Sequence, residues 1–565
     1  MKKSFSKLPS LILSQENFWP SRARRFAYYA LLFTLFSHIL IVGLLCATPP
    51  ISRDALIHHL AIPNLWLKHG GFYETPWASC SYFPMNVDLL YLGSLYFKND
   101  ILPKYIHFAF GLGTGLLIYF YLKQRLTRNW GLLGMLIYIT TPIVMRLSTT
   151  AYVDLGLTFF TTASLIAFVK WRDDGYKNAK WLFISGACMG LAAGSKYNAL
   201  IACVFLNLMI IFHYSRDTGK ELPALKYGLI FFVVTLIIAS PWYIKNYLLT
   251  SNPLYPMFDK IFNPPHYAGG QGGGIGLFQK REMMYGETLW EILLIPIRMF
   301  FQGKDNSDQY FYGALNPILI VMLPFAFFNK EISRDRIFFF SFSLFFLVIP
   351  VFLIAPSVRY ILPVIPFLVI LTVTGIRGLV DRLNNSRGLI RNIGLMGTFL
   401  VTVILIGCNI LYLKNYFNIV RPIGYILNQE TKDEFLSRHL GSYPAMLYVN
   451  ENLAADAKIS LFFLAGRGYY LDRTYRLHSG YGMGTIKDLV QASDTSSAFV
   501  ACFRSLGSTH LIVRNDLFEK YLRDNFTTEK IERFLYLTSQ YWENLYQDVG
   551  YTVFRLKLQA ERKKS

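Results

Sequence analysis

The residues best suited to chemistry lie in one polar stretch and at a few helix ends of an otherwise apolar chain. Arg53-Asp54-Ala-Leu-Ile-His58-His59-Leu-Ala-Ile-Pro63 opens the stretch, and on a helix Asp54 and His58 stand one turn apart on a shared face. Glu74 follows in Tyr73-Glu74. A second carboxylate, Asp154 in Ala151-Tyr-Val-Asp-Leu, sits where an apolar helix begins. A charge so close to hydrocarbon is costly unless it is paired or faces a water-filled cavity; the plainer role there is a helix N-cap. Lys196, Lys245 and Arg359 fall at other helix ends, the last beside Tyr360. They either snorkel to headgroups or form a cationic pocket for a lipid phosphate. Carboxylates with cations suit transfer of a group carried on phosphate. A hydroxyl acceptor needs a carboxylate as general base, and a phosphate leaving group needs charge stabilisation more than it needs an acid.

The elements that must position these residues are membrane helices. Of 565 residues 53% are hydrophobic and 16% charged, against about 25% charged in soluble domains. About eleven stretches approach the roughly 20 apolar residues that cross a bilayer: 26–47, 104–122, 130–147, 152–169, 181–194, 197–214, 227–247, 313–328, 336–355, 360–376 and 393–413. The net charge of +21 would suggest nucleic acid in a soluble protein. Here Lys and Arg concentrate in alternate short loops, the positive-inside pattern, so nucleic acid is not the expected partner. The first span is read as retained: Leu45 before Cys46 argues against lipoprotein cleavage, and the N-terminal region is not signal-like.

This alternation places residues 1–25 in the cytoplasm and two long loops, 48–103 and 250–312, on the outer face of the inner (plasma) membrane. The segment 81–97 contains Pro84, Asn86 and Asp88 and is read as an interfacial helix rather than a span. Residues 414–565 form a soluble, extracytoplasmic α/β domain, with strands expected at 459–464, 510–513 and 551–556. Six cysteines are scattered without CxxC spacing, so neither a disulfide framework nor a thiolate metal site is expected. The glycine tract Gly269–Gly276 lacks the lysine of a phosphate-binding loop and reads as a flexible loop or a lid. The sequence requires no cofactor; Asp54 and His58 are weak candidates for a divalent metal.

The order of these features resembles the GT-C glycosyltransferases of the protein O-mannosyltransferase and aminoarabinose transferase type, with their PMT-2-like bacterial relatives. The resemblance is carried by Asp54 with His59 and Pro63, by Asp154, by Gly190–Tyr197, by PWYIKNYLLTSNPLYP (241–256) and by RYILPVIP (359–366). Arg467-Gly-Tyr-Tyr-Leu-Asp472 and Ser508-Thr-His-Leu-Ile are similar to the appended domain of these relatives. It implies a polyprenyl-phosphate sugar donor and transfer outside the cytoplasm, with Asp54 the catalytic carboxylate and Asp154 the second acidic residue. Lys196, Lys245, Arg359, Tyr360, His58, His59 and Glu74 are then candidate substrate contacts. Arg53-Asp54-Ala55 replaces the commoner Asp-Glu pair, which speaks against the protein-mannosylating branch; the Trp-Trp-Asp signature of oligosaccharyltransferases is missing. The expectation is an inverting glycosyltransferase acting on a lipid or cell-envelope glycan, or on protein. The rivals are a flippase for lipid-linked sugars and a non-catalytic envelope scaffold.

Overall fold

The computed structural model describes residues 21–263, 276–327, 333–478 and 482–557. It separates into two compact units. One takes the chain up to Ala47, Tyr82–Val87 and Pro103–Pro422; the other takes Thr48–Ser81, Asp88–Leu102 and the chain from Ile423 onward. The glycine tract, up to residue 275, lies outside the described residues.

The first unit is a helical bundle. Seven of its described helices are long and apolar enough to span a bilayer: 25–46, 102–125, 199–218, 221–250, 334–354, 358–384 and 388–420. Arg128–Thr140 and Pro142–Ser148 make an eighth if a bend of 68° is counted within one span. The break falls at Pro142, which has no N–H to donate and disfavours helical backbone in the residue before it. The other three expected spans are helical but weaker. Lys180–Ala193 has 14 residues, about 21 Å of rise. Asp154–Asp173 is rich in Thr and ends on Lys170, Arg172 and Asp173. The segment from Ile318 to Phe327 is split into two single turns at Pro324. The helix Asn86–Tyr96 has 11 residues, about 17 Å of rise and short of a bilayer core.

Small residues bring the short helices close to their neighbours. Built on Gly190, a Cβ would lie 2.8 Å from the Thr235 carbonyl oxygen. Ser164 and Ser185 donate to each other's carbonyl oxygens at 2.7 and 2.9 Å. Without a hydrophobic force between helices in lipid, such contacts and hydrogen bonds hold a bundle together. Val358–Asn384 runs through the middle of the unit, with 94% of its most apolar window buried.

The second unit is built on a five-stranded sheet: β1 (Lys458–Phe462), β2 (Thr474–Leu477), β3 (His510–Arg514), β4 (Trp542–Gln547) and β5 (Tyr551–Leu556). The order is β2-β1-β3-β5-β4, with β2, β1 and β3 parallel and β5 antiparallel to both β3 and β4. Alternate side chains feed two cores. Phe462, Leu511 and Val513 pack with Ile486, Phe499, Phe503 and Phe534. Ile459, Leu461 and Ile512 pack on the other face with Met446 and Val449, and Leu65 and Trp77 of the 48–81 segment join them. The expected strands correspond to β1, β3 and β5; β2 and the edge strand β4 were not expected.

Candidate active site

In the bundle, Asp154 is the first residue of its helix, and the residue before it provides no side-chain cap. The N-cap role open to Asp154 is thus not the one it takes. The free N–H of Leu155 is satisfied instead by His107 Nε2 at 2.9 Å. His107 Nδ1 lies 2.9 Å from the carbonyl oxygens of both Leu147 and Thr150. An imidazole that accepts at Nε2 and faces carbonyls at Nδ1 carries its proton on Nδ1 and is neutral. His107 gave no signal in the sequence, because its partners lie 40 to 48 residues away.

Relieved of capping, the Asp154 carboxylate is fully buried and meets two cations at one oxygen. Lys196 Nζ donates to Oδ1 at 2.7 Å, and Arg359 Nε stands 3.3 Å from the same atom. The Lys196 ammonium lies 5.1 Å from the Tyr360 ring centre, and the Arg359 guanidinium 4.7 Å from that of Tyr152. Both cations keep some surface, 17% for Lys196 and 22% for Arg359. Two positive charges therefore converge on one carboxylate oxygen. Oδ2 of Asp154 is buried and makes no hydrogen bond among the described residues.

The segment Tyr82–Val87 is fixed in the same unit by residues of two sequence motifs. Asn86 N–H donates to the Gly194 carbonyl at 2.8 Å, and Trp242 Nε1–H donates to Asn86 Oδ1 at 2.7 Å. Asn246 Nδ2 donates to the Tyr82 carbonyl at 2.7 Å and to the Tyr197 hydroxyl at 2.9 Å. Gly194 is required, since a Cβ there would collide with the Asn86 amide. Lys245, between Trp242 and Asn246, is placed over the rings of Trp242 and Tyr82, at 5.1 and 5.8 Å from their centres.

Asp54 belongs to the second unit and heads a single π-helical turn, Ala55–His59, closed by Leu60 N–H on the Ala55 carbonyl at 2.9 Å. Such turns are rare and concentrate at functional sites. The expected α-turn from Asp54 to His58 is thus a π-turn. His59 is clamped, its Nδ1 standing 2.7 Å from Asp88 Oδ1, with both side chains buried. The ring of His58 packs on that of His59, centres 3.9 Å apart. Burial pushes the Asp88 carboxyl up to about 7. Asp54 itself is half-buried. Burial and then the Asp54 carboxylate push the Cys80 thiol up to about 11. Glu74 is exposed in the loop that follows.

Among the described residues no three His, Cys, Asp or Glu side chains gather as a metal site.

The model of the dolichyl-phosphate-mannose-protein mannosyltransferase family matches residues 78–252, the stretch that holds Asn86, Asp88, Asp154, Lys196, Trp242 and Asn246. Among solved structures, the chain is similar to ArnT from Cupriavidus metallidurans bound to undecaprenyl phosphate. The TM-score is 0.51 at 15% identity, over 94% of this chain and 98% of that one. It is also similar to the archaeal oligosaccharyltransferase AglB from Archaeoglobus fulgidus in complex with an inhibitory peptide and a dolichol-phosphate. Here the TM-score is 0.54 at 11% identity, over 94% of this chain and 74% of that one. A complex of the Archaeoglobus fulgidus oligosaccharyltransferase with Zn and sulfate gives 0.50 at 11% identity, over 93% and 73%. No curated protein matches the chain by sequence.

Proposed function

The chain is a multi-pass membrane protein with the fold of the GT-C glycosyltransferases, and from that premise we propose that it moves a sugar from a polyprenyl-phosphate donor to a hydroxyl acceptor. The observation that carries this reading is the pair Lys196 and Arg359 on the single carboxylate oxygen of Asp154. Cations that keep part of their surface above a buried carboxylate are within reach of an anion such as a phosphate monoester. The solved relative bound to undecaprenyl phosphate and the one in complex with a dolichol-phosphate support the donor class.

In this reading Asp54 takes the proton of the acceptor hydroxyl. The acceptor oxygen forms a bond to the anomeric carbon as the bond from that carbon to the phosphate oxygen breaks, inverting the centre. The departing polyprenyl phosphate keeps the electron pair. Lys196 and Arg359 stabilise it, with Lys245 a further candidate, and Asp154 holds the two cations in place. Tyr360 lies beneath the Lys196 ammonium. His58 and Glu74 are candidate acceptor contacts; His59, taken up by Asp88, positions the turn instead. The acceptor is a lipid or envelope glycan, with protein the alternative. Reaction on the outer face of the inner (plasma) membrane, with the C-terminal domain extracytoplasmic, follows from the distribution of Lys and Arg among the loops.

Purified protein given labelled undecaprenyl-phosphate hexose and total envelope lipid is expected to transfer label. Asp54→Asn is expected to lose at least about 100-fold of that rate while remaining folded. Label that crosses a vesicle without changing covalent partner would identify a flippase. Neither transfer nor crossing would leave a scaffold.

A further inference from the structure

The 48–81 segment and the C-terminal α/β domain form one compact unit, although hundreds of residues separate them in the chain. Beside the packing of Leu65 and Trp77 on the sheet, their hydrogen bonds fall on one connection, the stretch from β1 to β2 that contains Arg467–Asp472. Tyr470 donates its hydroxyl to the Pro50 carbonyl at 2.7 Å. Lys68 Nζ donates to the Leu471 carbonyl at 2.9 Å. A Cβ on Gly466 would lie 3.6 Å from Ile57, inside the π-helical turn. Pro50 precedes Asp54 and Ile57 follows it, so the connection bonds to the chain on one side of the carboxylate and runs close to it on the other.

The connection is itself rigidly held from the domain side. Asn450 donates to the Tyr470 carbonyl at 2.8 Å and accepts from the Asp472 N–H at 2.9 Å. Arg473 donates to the carbonyls of Asn450 and Leu453 at 2.8 Å each. Phe463 and Ala465 take positive φ values of 63° and 52°, a conformation that L side chains seldom adopt and that surrounding packing must enforce. A domain that merely hung from the bundle would have no need of such a connection.

We infer that the C-terminal domain is a positioning device for the Asp54 turn, acting through Tyr470 and Leu471 on Pro50 and Lys68. This rests on the reading of Asp54 as the general base. Tyr470 and Lys68 touch no reacting atom; they fix the backbone from which Asp54 projects. A carboxylate misplaced by about 1 Å costs turnover far more than donor binding.

The test uses the full chain in nanodiscs, with labelled undecaprenyl-phosphate hexose as donor. In the double variant Tyr470→Phe/Lys68→Met, kcat is expected to fall about tenfold, with the donor KM unchanged within about twofold. Amide exchange over residues 50–60 is expected to quicken by about tenfold. Lys68→Arg, which keeps a donor to Leu471, should restore most of the rate; if the double variant does not fold, Tyr470→Phe alone carries the measurement. Wild-type exchange in the turn, or faster exchange with unchanged kcat, overturns the inference. Full turnover by Asp54→Asn would instead sink the reading of the base, and the exchange measurement would still decide whether the clamp exists.

Discussion

The helix Asp154–Asp173 carries a charge cluster at each end, and the two are built differently. At its start one buried carboxylate faces two cations that keep 17% and 22% of their surface. At its end Arg172 and Arg125 both pair with Asp335, Arg125 and Arg172 both reach Asp173, and the Tyr121 hydroxyl donates to Asp335 at 2.6 Å. In that second cluster Arg172 and Asp335 are nearly sealed, at 4% and 5%, and the open Arg125 is matched by the open Asp173, at 35% and 36%. A cluster whose open cation meets an open carboxylate satisfies itself and ties helices together. One whose carboxylate is buried beneath partly open cations leaves those cations within reach of an anion from outside. Which charges are exposed, rather than the presence of ion pairs, separates a candidate binding site from a structural tie.

The contrast can be broken most sharply at its two carboxylates. Asp154→Asn should cost transfer about 100- to 1000-fold, because Lys196 and Arg359 lose the group that holds them, with little change in the fraction folded. Asp335→Asn should do the reverse, costing about 3–5 kcal/mol of stability by taking the buried partner from the sealed Arg172, which keeps only the open Asp173. Rate per folded molecule should stay near wild type. Equal losses of activity from both variants would erase the distinction.

The smallest expected effect concerns the other unit. Asp88 has its carboxyl raised by burial to about 7, above its ordinary 3.8, so the folded unit favours the neutral acid. Its contribution is then fully present below about pH 4 and is lost as pH rises towards 7. Amide exchange in the helix Asn86–Tyr96 should quicken across that window in the wild type and stay flat in Asp88→Asn. Exchange that slows with rising pH, after correction for the intrinsic rate, would reverse the assignment.

Much of the bundle could be read from apolar runs, because lipid forces each span to carry its own signal. Asp154, Lys196 and Arg359 stood out for the same reason: charge at the edge of hydrocarbon is conspicuous. β1, β3 and β5 were legible as apolar runs. β2 has only four residues with a single fully buried one, and β4 lies at the sheet edge, so neither carries much pattern. The partners that complete the site were not legible. His59 meets Asp88 across 29 residues, and His107 meets Leu155 across 48, distances at which spacing carries no information. The turn itself was not legible either: Asp54 and His58 were placed on an ordinary α-turn where the chain makes a π-turn.

The bond from Tyr470 to Pro50 spans 420 residues, which sets a timetable for synthesis. At about 5–20 residues per second, a ribosome needs roughly 20–80 s to pass from one partner to the other. Over that interval the segment carrying Asp54 must wait without the strands that complete its hydrophobic face. A chain interrupted anywhere before β1 would insert its helices yet lack the partner for that segment. Assembly of this unit is therefore a late event, and it waits until translation has passed β1.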